Sequence, residues 1–140
     1  PRWILDSLVE QPLAGVQIAA AEAATEQRLA RIHTAEYLAA VRTGEPSELA
    51  ESQGFPWDPG IFRAGAMSAG AATDAARAAL RDGAAGALST GLHHAAADHG
   101  AGYCTFNGLA LAALEALDAG AQSVLILDLD AHCGRLSGFS

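Results

Sequence analysis

Ser123-Val124-Leu125-Ile126-Leu127-Asp128-Leu129-Asp130-Ala131-His132 is the stretch whose reading decides the fold of this chain. Its apolar run, rich in Leu, Ile and Val, breaks off at Asp128, as a buried strand does when it delivers polar side chains from its C-terminal end. Open α/β sheets keep their chemistry at that edge. Residues two apart on an extended chain share a face, so Asp128, Asp130 and His132 start on one side. Carboxylate and imidazole donors together suit a divalent metal such as zinc. The plainer reading has the aspartates cap a following turn or helix and leaves the histidine in solvent. This stretch alone does not separate the two.

Upstream, residues 84–90 (AAGALST) read as a second short strand, and Gly91-Leu92-His93-His94 follows directly. Asp98, His99, Gly100 and Gly102 then make a tight loop, and Thr105 to Ala119 reads as a helix apolar almost all round, which must be buried or covered. Residues 84–128 have the length of a strand–helix–strand crossover between parallel strands, so the class is α/β. Such a crossover puts both strand ends on one sheet edge, with His93 and His94 facing Asp128, Asp130 and His132. Two histidines beside a metal site suit metal-assisted hydrolysis, in which one group takes a proton from water and another protonates the leaving group. His99 reads as structural.

Residues 1–24 carry Trp3, Ile4, Leu5 and Leu8 at the spacing of a helical turn, broken by Pro12 and Gly15. Thr25 and Thr34 are helix N-caps, Gly44 is a helix stop, and His33 between them reads as a structural hydrogen-bonding residue. Residues 44–58 read as a loop, with Phe55 and Trp57 either rimming a site or pinning the loop to the body. Asp58-Pro59 predicts the start of a long helix to about Arg81, stopped by Gly83, in which Gly65, Gly70 and Ala71 admit a close neighbour.

Composition narrows the functions. Hydrophobic residues make up 51% of the 140 residues but aromatics only 6%, which predicts tight packing on small side chains. A net charge of −8 and a pI near 4.9 argue against nucleic acid as a partner. No apolar run has the length of a membrane span, and the start lacks the order of a signal peptide. Two cysteines, Cys104 and Cys133, cannot frame a disulfide scaffold and predict reduced thiols in a cytoplasmic protein.

Gly91-Leu92-His93-His94-Ala95, then Gly102-Tyr103-Cys104-Thr105-Phe106-Asn107, then Leu127-Asp128-Leu129-Asp130-Ala131-His132 resemble the zinc-dependent histone deacetylase family, with its acetylpolyamine amidohydrolase and acetoin-utilisation relatives. Arg31-Ile32-His33-Thr34-Ala35-Glu36-Tyr37 is similar to that family as well, so the resemblance runs from about residue 25 to 134. It implies an arginase/deacetylase-type fold, a parallel sheet flanked by helices, and hydrolysis of an N-acetyl amide on acetyl-lysine-like or acetylpolyamine substrates. It also implies Asp130 and His132 as zinc ligands and His93 and His94 as general base and acid. Asp128 would orient His93 and help hold a monovalent cation near Asp130. Tyr103 would wall the acyl channel, and Gly102 would offer its carbonyl to the substrate. A carboxylate behind a histidine fixes its tautomer and raises its basicity, which fits these roles.

Arginases share the fold but need a further carboxylate two residues beyond the metal histidine. Gly134 stands there, which favours a single metal. The family's third zinc ligand and its transition-state tyrosine lie downstream of the Asp-x-Asp-x-His motif, and Arg135 takes the place of a polar partner for His94. Cys133 reads as a small buried hydrophobe rather than a thiolate ligand. Residues 1–140 thus read as a single partial deacetylase domain, lacking the family's first strand and its C-terminal part. Two other readings stand beside the enzyme: a catalytically silent remnant or binding module that keeps the fold core, and a homo-oligomer in which a second copy completes the site.

Overall fold

Short-range chemistry decides where most of the helices begin and end. In the computed structural model, which describes residues 2–132, these are α1 (Arg2–Glu10), α2 (Glu26–Leu29), α3 (Ala35–Thr43), α4 (Ser47–Ala50), α5 (Ile61–Asp82) and α6 (Gly108–Asp118). Thr25 and Thr34 cap α2 and α3, their hydroxyls accepting from Arg28 N and Tyr37 N. Gly44 closes α3 in the left-handed region at φ +84°, and Gly83 closes α5. Helix α4 occupies the segment expected to be a loop.

Two helix starts fall later than the sequence predicts, each for a local reason. Asp58 folds its carboxylate onto Gly60 N (2.7 Å) and accepts Ile61 N on its carbonyl, so a turn precedes α5 and Gly60 becomes the N-cap. Asn107, not Tyr103 or Cys104, leads into α6, its side-chain oxygen accepting from Ala110 N at 3.0 Å.

Small residues let α5 and α6 pack closely, as the alanine-rich composition predicts. Ala66, Ala69, Gly70 and Thr73 form the buried stripe of α5 at helical spacing. A Cβ at Gly65 would stand 2.9 Å from the Phe106 ring, and one at Gly70 would overlap the Glu22 carbonyl and stand 2.7 Å from Ala24 N. Backbone 22–24 lies against α5 there, Ala24 N donating to Ala66 O at 2.9 Å. Leu29, Tyr37, Leu38, Val41, Phe106 and Leu111 complete the core. Phe106 sits at its centre, with Phe62 5.1 Å and Tyr37 6.1 Å away between ring centroids, both edge-on. Under this layer Glu115 of α6, 4% exposed, accepts from Arg28 (Nε, 2.6 Å) and pairs with Arg77 (2.9 Å), and Arg28 also donates to Thr73. Glu115 thus ties α2, α5 and α6 together.

The parallel sheet is the main point of difference. Among the described residues no strand ladder forms, and the β-type pairing there is an isolated bridge between Ala101 and Cys104. Residues 84–90 and 123–130 run without helix or ladder, and the second segment is not buried. Leu125, Leu127 and Leu129, on one side of it, are 90%, 75% and 84% exposed, while Ile126 is half-buried. Strand character needs hydrogen-bonding neighbours as well as an apolar pattern, and among the described residues no other backbone group bonds to the backbone of this segment. Helix α1 likewise buries none of its residues, with Trp3 at 86% exposure. No helix among the described residues is long and apolar enough to cross a membrane.

Candidate active site

The turn that carries the two histidines is built from backbone. Leu92 adopts φ +54°, a conformation non-glycine residues rarely take, and Ala95 N returns to Leu92 O at 3.3 Å. The start of α6 grips the turn from below: Leu109 N donates to Gly91 O (3.3 Å), and Asn107 Nδ2 donates to Ala95 O (3.1 Å) and at longer range to His93 O (3.5 Å). From the other side Thr34 N donates to Ala97 O (2.8 Å). His33, 4% exposed, accepts Asn107 N on Nε2 at 3.1 Å, which requires a neutral ring with its proton on Nδ1. Burial holds the His33 pKa below its ordinary value, and the carbonyls of Ala97 and Ala96 offset only part of that. His33 is therefore a buried structural histidine.

His93 and His94 stack edge-on with ring centroids 4.2 Å apart. Nδ1 of His93 lies 2.6 Å from Asp128 Oδ2, bringing the two polar strand-end motifs together across 35 residues. Asp128 also accepts Asp130 N on Oδ1 (3.0 Å), and Asp130 in turn accepts His132 N on Oδ1 (2.8 Å), with His132 Nδ1 3.1 Å from the same oxygen. Those backbone amides, and after them the histidine rings, hold both carboxyls below the usual carboxylate range, so both are ionised near neutrality. An ionised Asp128 makes His93 Nδ1–H the donor and leaves Nε2 as the basic nitrogen. The His132 ring stands 6.4 Å from that of His94.

Gly102 and Tyr103 form the opposite wall. A Cβ at Gly102, which has φ +51°, would stand 2.6 Å from Cδ2 of His94, so glycine is what lets this ring sit where it does. The Gly102 carbonyl accepts the Cys104 thiol at 3.4 Å. Tyr103, also at positive φ (+64°), donates its N–H to Gln53 O (2.7 Å) and leaves its ring 64% exposed against Phe55, 4.9 Å between centroids. Phe55 thus shares an exposed aromatic rim with Tyr103. Trp57 takes the pinning role, its Nε1 donating to Val41 O (2.8 Å) and its ring covering Gly44. His99 pairs with Asp98 at 2.7 Å, apart from this constellation.

Asp130 and His132 are of the donor types that suit zinc. Two donors each about 2.0–2.1 Å from a tetrahedral zinc lie roughly 3.3 Å apart, close to the 3.1 Å separating the Asp130 oxygen from the His132 nitrogen. Among the described residues no group of three or more His, Cys, Asp or Glu side chains is arranged to hold a metal, so these two donors form an incomplete set there. Cys133, Gly134 and Arg135 lie outside the described residues. Sequence reasoning missed Asn107 as a part of this region. Its signal was an N-cap residue type directly before an apolar run, five residues after Gly102.

The chain matches the family model of the histone deacetylase domain over residues 2–135. Histone deacetylase 15 of Arabidopsis thaliana is 39% identical over 119 residues, covering 79% of this chain and 21% of that protein. Acetylpolyamine amidohydrolase 2 of Pseudomonas aeruginosa is 58% identical over 43 residues, 31% of this chain and 12% of that protein. Among solved structures, the crystal structure of the HDA15 HD domain is similar with a TM-score of 0.61 and 26% identity, covering 85% of this chain and 35% of that one. The chain spans well under half the length of each of these relatives.

Proposed function

The chain belongs to the histone deacetylase family, and on that premise we propose that it carries the proton-transfer half of a zinc-dependent amidohydrolase active site. The substrate class is an acetyl-lysine-like or acetylpolyamine amide, in keeping with the 58% identity to an acetylpolyamine amidohydrolase. The observation that carries the reading is the 2.6 Å bond from His93 to Asp128, set beside the Asp130–His132 donor pair.

Asp130 and His132 would hold the zinc with a further ligand from outside the described residues; bound there, zinc polarises the acetyl carbonyl and lowers the pKa of water. Asp128 keeps the proton of His93 on Nδ1, so Nε2 takes the proton from the attacking water. His94, stacked on it, gives a proton to the departing amine nitrogen. Gly102 keeps the His94 ring in place, and Tyr103 with Phe55 lines the entrance along which the substrate's methylene chain lies. Asp128 and Asp130 supply the anionic side of a monovalent cation site. The parallel sheet belongs to this reading too, with 84–90 and 123–128 as two of its strands within one domain.

A second reading, a catalytically silent module, is favoured by one observation: the described residues supply two metal donors and not three. Zinc titration by calorimetry, with Asp130→Ala as control, and hydrolysis of an N-acetylated diamine and an acetyl-lysine peptide separate the two. Stoichiometric zinc binding lost in Asp130→Ala, with turnover lost in His93→Ala, is expected. Turnover that survives His93→Ala refutes the assigned roles, and absence of both binding and turnover in the wild type favours the silent module.

A further inference from the structure

Asn107 links the start of a core helix to the turn bearing the histidine pair through its side-chain amide. Its Oδ1 accepts from Ala110 N, which fixes the orientation of the amide, because only the oxygen can accept there. The NH2 group is thereby turned toward the carbonyls of Ala95 (3.1 Å) and His93 (3.5 Å). Its own backbone N–H is held by His33 Nε2, in a ring that packs on Phe106 (5.3 Å) and Tyr37 (5.5 Å) at the centre of the core. Asn107 is 4% exposed, so these bonds are not exchanged with water. The turn they hold contains a residue at positive φ, Leu92, a conformation that costs about 1–3 kcal/mol and persists only when its surroundings impose it.

We propose that Asn107 is a positioning residue for the histidine pair: its amide fixes the 93–95 backbone, so that the His93 ring stays on Asp128. The role in turnover rests on the deacetylase reading above; the effect on the His93 ring does not. Helix capping alone does not need the amide nitrogen, since Ser and Asp cap as well as Asn. Asn107→Asp and Asn107→Ser both keep an oxygen for Ala110 N. The first replaces the NH2 donor with a second oxygen facing two carbonyls, and the second has no group long enough to reach Ala95 O.

The test reads the His93 imidazole by nitrogen-15 NMR in the full-length protein at one neutral pH, beside steady-state kinetics on an N-acetylated diamine. In the wild type His93 carries its proton on Nδ1. In both variants that signature moves toward the Nε2–H form while the helical circular dichroism is unchanged, and kcat falls about a hundredfold with KM within about threefold, as a displacement near 1 Å produces. A folded Ser variant with the wild-type His93 signature overturns the proposal. If the Asp variant does not fold, the Ser variant decides alone. A moved signature in a protein whose wild type shows no turnover upholds the positioning role and counts against the deacetylase reading instead.

Discussion

Gly70→Ala sets two local effects against each other, and the structure decides the sign. Replacing a glycine inside a helix by alanine favours the helix by about 0.8–1.0 kcal/mol. At Gly70 the added Cβ overlaps the Glu22 carbonyl oxygen and stands 2.7 Å from Ala24 N, where ordinary contact begins at 3.4 Å, so Ala24 must retreat by about 0.7 Å and Glu22 by more. Retreat strains the 2.9 Å bond from Ala24 N to Ala66 O and the 3.0 Å bond from Glu22 N to Asp74 Oδ2. Overpacking of this kind costs about 1–3 kcal/mol, and each bond lost a further ~1 kcal/mol. The balance is a net destabilisation of about 1–3 kcal/mol, measured as a lowered urea midpoint followed by circular dichroism at 222 nm. Gly86→Ala is the contrast: nothing lies within 4 Å of its Cβ, and the substitution stabilises by about 0.4–1 kcal/mol through the unfolded chain. A Gly70→Ala protein as stable as the wild type, or more so, refutes the argument that 22–24 is packed on α5.

Two further outcomes follow from buried charge. His33 has a lowered pKa in the folded chain, so the unfolded chain binds the extra proton first as pH falls below about 6.5. Stability is complete above that value and declines as pH falls toward the folded-state pKa, with a slope of at most about 1.4 kcal/mol per pH unit from this group; His33→Gln removes that part of the slope in urea titrations run from pH 7 to 5. Glu115→Ala leaves the half-buried Arg28 without its carboxylate and releases Arg77. It costs about 3 kcal/mol, the low end for a broken buried pair because both guanidinium groups can reach water and Arg28 keeps Thr73; a shift in urea midpoint worth less than about 1 kcal/mol would show that the pair is not coupled to the core.

What was legible in the sequence was what is decided within a few residues. Thr25, Thr34, Gly44 and Gly83 mark helix ends because a cap is a contact between near neighbours, and the small residues of α5 announce a close neighbour without saying which. The sheet was not legible in this way. An apolar run such as 123–127 states a preference for burial, but a ladder also needs partners elsewhere in space, and here the backbone of that run meets none among the described residues. The meeting of His93 with Asp128 could be anticipated because each stands where an apolar segment stops. The cap at Asn107 could be anticipated too, but its hold on the histidine turn could not, because there its acceptors are main-chain carbonyls, which every residue type possesses equally.

The two sides of the histidine–aspartate constellation are held very differently. Amides of Ala95, Ala96 and Leu109 are tied to carbonyls on or beside the turn, whereas those of residues 124–129 donate to no other described residue. In heavy water the first set exchanges slowly and the second at nearly the rate of a free peptide. Labelling of 124–129 is then a direct gauge of whatever segment comes to lie along it. Protection that spreads from Leu125 to Leu129 reports, residue by residue, the moment when the carboxylate side of the constellation becomes as rigid as the imidazole side.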